Sequence, residues 1–349
     1  MIFGKLGSII LALVFFGILI TVHEGGHFLA ARACGVKVNE FSIGMGPAIL
    51  KKQGKETLYS LRILPIGGYC AMEGEQENSE DPKSFNNKHP YQKGIILLAG
   101  ATMNILVGVL LMAIMLGSSD LIGTNSIRMF ADDATTKAAG LQEGDKITCI
   151  NNHRIYTQYD VSYYLMTDKD ALVNFTVERD GESLYFSDVP LQKVTAEDGN
   201  TYVAYDFAVV GVEPTFLNTV KYSVMDSVSI VRMVCSSLIG MVSGDYSLDD
   251  LSGPIGTVDL MADTTSDAVS NHDYSTLLYL LALIALNLGA FNLIPFPALD
   301  GGQFVFVMVE GIIRKPVPDS IKAAANSIGF MLLMGFMLLV TFSDIFKLF

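Results

Sequence analysis

An apolar run without a charge, Ile9 to Val22 (IILALVFFGILITV), leads directly into His23, Glu24 and His27. No other feature constrains the fold of this chain as tightly. The run reads as the body of a membrane span, yet ionisable side chains stand at its far end. A charge inside a span is costly unless it faces a protein cavity or a partner. The chain must therefore wall off a polar site within apolar helices, and other segments must supply the walls.

Half of the 349 residues are hydrophobic and the mean hydropathy is +0.41, a balance that points to a membrane protein. Four stretches have the ~20 residues needed to cross ~30 Å of hydrocarbon. They are Leu6–Ala33, Lys93–Gly117, Leu277–Pro297 and Ser327–Phe346. The first is expected to be retained rather than cleaved, because it stays apolar past His23 to Ala33 with no clean small-residue cleavage site. A net charge of -13 argues against nucleic acid, which selects basic faces. The four cysteines stand far apart and suggest neither a disulfide framework nor a cysteine metal site.

Lysine and arginine set the expected orientation. The loop from Gly35 to Gln92 carries Lys37, Lys51, Lys52, Lys55, Arg62, Lys83 and Lys88, and the loop from Ala298 to Asn326 carries Arg314, Lys315 and Lys322. The positive-inside rule puts both loops in the cytoplasm, so both termini and the segment Ser118–Thr276 fall outside.

Histidines at i and i+4 share one helix face, so His23 and His27 can reach one metal ion, for which zinc is the apt choice. Glu24 lies beside them, placed to take a proton from water at that ion. Counting from Leu6, His23 lies roughly 25 Å into the span, in its cytoplasmic third. The competing reading is a histidine pair satisfied by hydrogen bonds in a helix bundle. Two histidines leave zinc short of a third protein ligand, and His89, His153 and His272 fall in loops or outside. Asp300, in NLIPFPALDGG, is the better candidate. It follows a span that runs parallel to the first and emerges at about the same depth, where Pro295 and Pro297 break the helix. Such irregular backbone persists at membrane depth only beside a cavity or inside protein. Alone, PFPALDGG would read as a plain helix-end turn.

These motifs resemble those of the site-2 protease family of intramembrane metalloproteases, in its regulator-of-sigma-E type with one inserted PDZ domain. The likeness covers nearly the whole chain in order: His23-Glu24-His27, FSIGMGPAIL (Phe41–Leu50), LPIGGY (Leu64–Tyr69), LAGATMN (Leu98–Asn104), LSGPIG (Leu251–Gly256), and Asn292, Pro295, Pro297, Leu299, Asp300 and Gly301. Gly25 and Ala101 depart from the usual Leu and Pro without touching a ligand or the base. The resemblance implies an endopeptidase holding one Zn2+ on His23, His27 and Asp300, with Glu24 as base. Its substrates would be single-pass membrane proteins, such as anti-sigma factors or remnant signal peptides, cut within or near their spans. Asn292, with Pro295 and Pro297, matches the family segment that helps hold substrate near zinc.

A helical substrate must be unwound before attack. VKVNEFSIG and ILKKQGKETLYSLRIL read as strands, with Gly44 and Gly46 permitting close backbone approach. An exposed edge there would hold substrate as an added strand, or the hairpin would only brace the helices. The segment Leu121–Gln192 is similar to bacterial PDZ domains and would take peptide ends, as a size filter or as a tether. Phe216–Val242 is amphipathic and interrupted by Lys221, Asp226 and Arg232, which favours an interfacial helix over a fifth span.

The expected architecture is a multi-pass α-helical membrane protein with four transmembrane helices, a membrane-associated β-hairpin and an inserted extracytoplasmic α+β PDZ domain. Residues 1–117 hold the first half of the core, 121–192 the PDZ domain, 193–276 a linker with an amphipathic helix, and 277–349 the second half. Two other readings compete: a non-catalytic PDZ adaptor in the membrane, and another class of intramembrane zinc peptidase.

Overall fold

The computed structural model describes residues 2–75, 79–168, 170–195, 201–244 and 253–347. Leu251 and Ser252, the start of the LSGPIG segment, lie outside them. The chain divides into one unit of Met1–Gly108 with Leu238–Phe349, and a second of Val109–Ser237.

In chain order the elements are α1 (Ile2–Ala33), β1 (Val38–Gln53), β2 (Leu58–Met72), a short 3-10 turn and α2 (Pro90–Gly117). There follow β3 (Ile122–Phe130), α3 (Thr135–Ala138), β4 (Lys146–Ile150), β5 (His153–Arg154), α4 (Gln158–Met166), β6 (Leu172–Arg179) and β7 (Glu182–Pro190). Then come β8 (Gln192–Thr195), β9 (Thr201–Ala204), β10 (Phe207–Val212) and α5 (Phe216–Ser243). The last four are α6 (Pro254–Asn271), α7 (Ser275–Leu293), α8 (Asp300–Ile313) and α9 (Asp319–Lys347). α1, α2 and α9 contain three of the expected spans, and α7 covers the remaining one only as far as Leu293, ending before Pro295 and Pro297. A fifth helix, Phe216–Met241 within α5, is also long and apolar enough to cross a membrane.

In the first unit, glycines set how closely the helices approach. A Cβ on Gly26 would stand 2.5 Å from the Ala99 carbonyl oxygen, and one on Gly289 would stand 3.0 Å from that of Ala101. These small residues bring α1 and α7 onto α2, the usual device where apolar burial gives helices no preference over lipid. Gly25, by contrast, faces open space. α6 was not expected. Its first turn is capped from α9, where buried Asp344 accepts the Gly253 N–H at 3.0 Å and the Gly256 N–H at 2.9 Å. A carboxylate on free N–H groups at a helix start is the favoured arrangement.

β1 and β2 are longer and more folded than a simple hairpin. The start of β1 pairs with both ends of β2, Ser42 lying opposite Tyr69 and Ser60, while its later half pairs only with the start of β2. The doubling back occurs at Gly44 and Gly46, whose φ values of 83° and 85° suit glycine. A Cβ on Gly44 would stand 2.4 Å from the Leu64 carbonyl oxygen. The folded strands then run as four segments, and the Gly67–Met72 segment, paired antiparallel with the start of β1, is an edge.

The second unit holds a mainly antiparallel sheet in the order β10-β3-β4-β6-β7, with β5 beside β4. Its core gathers Ile127, Leu141, Ile147, Ile150, Leu165, Val173, Phe175 and Val177. The sheet runs on past Gln192, because β10 pairs antiparallel with β3 through Phe207–Phe130 and Val212–Ile122.

Candidate active site

α1 carries His23 and His27 one turn apart, and the start of α8 brings Asp300 to them. His23 Nε2 is 3.1 Å and His27 Nε2 3.2 Å from Asp300 Oδ2. The two Nε2 atoms are 3.2 Å apart. Each of the three residues offers one ligand atom, all within 4.8 Å of one another. Asp300 reaches this point because Pro295 and Pro297 end α7 and the Ile294–Leu299 turn reverses the chain into α8. The turn is tight: a Cβ on Gly301 would stand 2.3 Å from the Ile294 carbonyl oxygen.

The donors suit zinc. Tetrahedral ligands at about 2.1 Å from the ion stand about 3.4 Å apart, close to the spacings found. Asp300 Oδ2 is buried, points at both imidazoles and has no hydrogen-bond donor among the described residues. Two imidazoles and a carboxylate leave a fourth position for water or substrate, the pattern of catalytic rather than structural zinc. The outer ring nitrogens are also engaged. His27 Nδ1–H donates to the Ile96 carbonyl at 2.8 Å, and the Asn104 side-chain amide meets His23 Nδ1 at 3.3 Å. The Ile96 carbonyl, as an acceptor, fixes the His27 tautomer that leaves Nε2 free for a metal.

Space for the imidazoles comes from α2. A Cβ on Gly100 would stand 2.4 Å from His27 Nε2 and 2.8 Å from His23 Cε1. Glu24 lies against the β2 edge, its Cγ 3.4 Å from where a Cβ of Gly68 would be. Cys70, on the same strand, is not in the cluster of ligand atoms. Burial, reinforced by the nearby Glu24 and Glu75 carboxylates, pushes its thiol up to about 12, so it stays protonated.

Of the residues singled out from sequence, the structure brings His23, His27 and Asp300 together, with Glu24 on the same helix. Asn292 sits in the last turn of α7 with its Nδ2 donating to the Leu288 carbonyl at 3.0 Å. Pro295 and Pro297 lie in the turn before Asp300, and Gly44 and Gly46 in the fold of β1. Among the described residues, no hydrogen bond joins these five to the ligand cluster. Gly100, Asn104 and Gly68 were not anticipated as parts of the site. LAGATMN drew attention as a motif, but only the packing of α2 on α1 shows what its Gly and Asn do.

The profile of a family described as Peptidase family M50 matches residues 11–336. The chain is 37% identical to a Clostridium perfringens protein described as a zinc metalloprotease, across 97% of this chain and 98% of that one. A protein of Clostridium acetobutylicum with the same description is 35% identical over 97% of both. The regulator of sigma-W protease RasP of Bacillus subtilis is 27% identical across 98% of this chain and 99% of its own.

Proposed function

The chain belongs to peptidase family M50, as an intramembrane zinc metalloendopeptidase of the site-2 type, and we propose that His23, His27 and Asp300 hold its zinc and Glu24 is its base. The observation that carries this assignment is the convergence of two Nε2 atoms and one carboxylate oxygen from distant parts of the chain. Zinc held by these three residues would polarise the scissile carbonyl and lower the pKa of water. Glu24 takes a proton from the attacking water as oxygen bonds to the carbonyl carbon. It then passes that proton to the amide nitrogen as the C–N bond breaks, leaving an acid and an amine. Gly100 and Asn104 hold the imidazoles in place.

The β2 edge beside Glu24 suits a locally unwound substrate, taken up as an added strand. Asn292, Pro295 and Pro297, which precede Asp300 in the chain, help hold the substrate near the zinc, while Gly44 and Gly46 let β1 fold so that this edge stays free. The substrates are single-pass membrane proteins. Anti-sigma factors are one class, by analogy with the relative named for sigma-W regulation, and remnant signal peptides are another. The second unit acts as a PDZ domain that takes peptide ends outside the cytoplasm. α1, α2, α7 and α9 span the cell membrane with both termini outside, and α5 lies at the interface.

The test of the site pairs zinc content with cleavage of a single-span reporter. Glu24→Gln should keep zinc and lose cleavage, while Asp300→Ala should lose both. Cleavage retained by Glu24→Gln, or unchanged zinc in Asp300→Ala, would refute the assignment. For orientation, a reporter enzyme active only outside the cytoplasm, inserted at the Asp180–Gly181 turn, should be active. An inactive reporter there would reverse the topology.

A further inference from the structure

A cavity of about 580 Å³ opens in the second unit between β4, β5 and the first turns of α5. None of the proposed zinc ligands lines it; all of them belong to the first unit. Lys146, Arg154 and Lys221 line it together with Asn152, Tyr156 and Tyr222, and no carboxylate stands among the described residues that do so. In a chain with a net charge of -13, three cations around one concavity mark a site for an anion. Lys146 is partly offset by Glu178 at 3.6 Å, a pair about half exposed at both ends. Arg154 and Lys221 have no ion pair among the described residues.

Two observations say which anion. First, the α5 wall of the cavity meets the end of α2, a candidate membrane span. The apolar run of α2 ends at Gly117, before Ser118, Ser119 and Asp120, and a Cβ on Gly117 would stand 3.6 Å from Thr219 Cγ2. Thr219 lies two residues before Lys221, about one half-turn of helix. Second, α5 turns an apolar stripe outward. Phe216 is 86% and Leu217 75% exposed, and Val220, Val224 and Val228 continue the stripe along the helix. The opposite face is committed to the domain, with Ser223, Asp226 and Ser229 buried and Ser229 donating to Asp160. The cations thus sit at headgroup level beside an apolar surface suited to acyl chains.

We propose that this cavity binds the phosphodiester headgroup of an anionic membrane lipid. Arg154 and Lys221 contact the phosphate, Lys146 adds to the field, and the lipid chains lie along the α5 stripe. The lipid would seat the second unit on the membrane at a fixed height. This site is independent of the zinc assignment.

The full chain is reconstituted in phosphatidylcholine nanodiscs with or without phosphatidylglycerol, then released and delipidated for native mass spectrometry. Wild type should retain phosphatidylglycerol. Arg154→Gln with Lys221→Gln should retain it about tenfold less, as expected for two cations near an anionic headgroup. The charge-keeping pair Arg154→Lys with Lys221→Arg should behave as wild type, and unchanged zinc content in each variant reports an intact fold. Equal retention by wild type and the neutral pair would overturn the proposal. So would stripping of the lipid from wild type by excess inorganic phosphate, which would mark a site for free phosphate instead.

Discussion

Gly100 shows how much one absent side chain decides. Its Cβ would fall 2.4 Å from His27 Nε2, well inside contact distance, and the backbone of α2 cannot retreat without dragging Asn104 from His23. Gly100→Ala should therefore displace the imidazoles. Displacements of about 1 Å cost on the order of 100-fold in rate, so cleavage should fall at least that far with much of the bound zinc lost. Zinc analysis beside reporter cleavage checks this, and wild-type values for both would refute the clash. At this scale the sequence was legible where chemistry is local. His23, Glu24 and His27 announce themselves by spacing within one helix. Gly100, Asn104 and Gly68 do not, because each acts on a residue from a different element, and a glycine's role is set by what approaches it.

Among the elements, the folded β1–β2 sheet depends on Arg62. Its Nε donates to Ser42 Oγ at 2.9 Å, Nη1 to the Gly46 carbonyl at 2.6 Å, and Nη2 to Glu40 at 2.8 Å and to the Tyr69 hydroxyl. One planar guanidinium thus ties both halves of β1 to the edge segment that faces Glu24, a geometry that lysine cannot reproduce. Arg62→Ala should loosen that edge, raising KM for a membrane substrate about 10-fold or more while zinc content stays at the wild-type level. A fall in zinc with unchanged KM would place Arg62 elsewhere in the mechanism. The hairpin itself was readable from the strand-like stretches VKVNEFSIG and ILKKQGKETLYSLRIL. The doubling of β1 onto both ends of β2 was not, since pairing of distant segments leaves no local pattern. α6 was missed for a similar reason. Gly253 and Pro254 are a fair start signal, but the cap comes from Asp344 on the last helix.

For the whole molecule, the proposed zinc ligands stand on helices already held by close glycine contacts. Metal is therefore not the source of the fold, unlike in small zinc domains that unfold without it. A chelator should abolish cleavage and leave the far-UV circular dichroism unchanged, and added zinc should restore activity. Loss of helical signal on chelation would show that zinc organises the bundle. At this scale five helices among the described residues meet the length and apolarity of a span. α5 differs from the rest in burying Ser223, Asp226 and Ser229 against its own β domain, which fits an interfacial helix better than one bathed in lipid.

The sequence by itself determined that the chain is a membrane protein, where its apolar helices run, and which residues are the candidates for ligands and base. Each follows from composition over tens of residues or from spacing within one turn, and both are local quantities. Only the tertiary structure decided that Asp300 reaches both imidazoles, that α2 yields a glycine where they need room, and that β10 closes the sheet beyond Gln192. Those depend on which distant segments meet, and close packing fixes that to within an ångström, a precision no one-dimensional pattern contains.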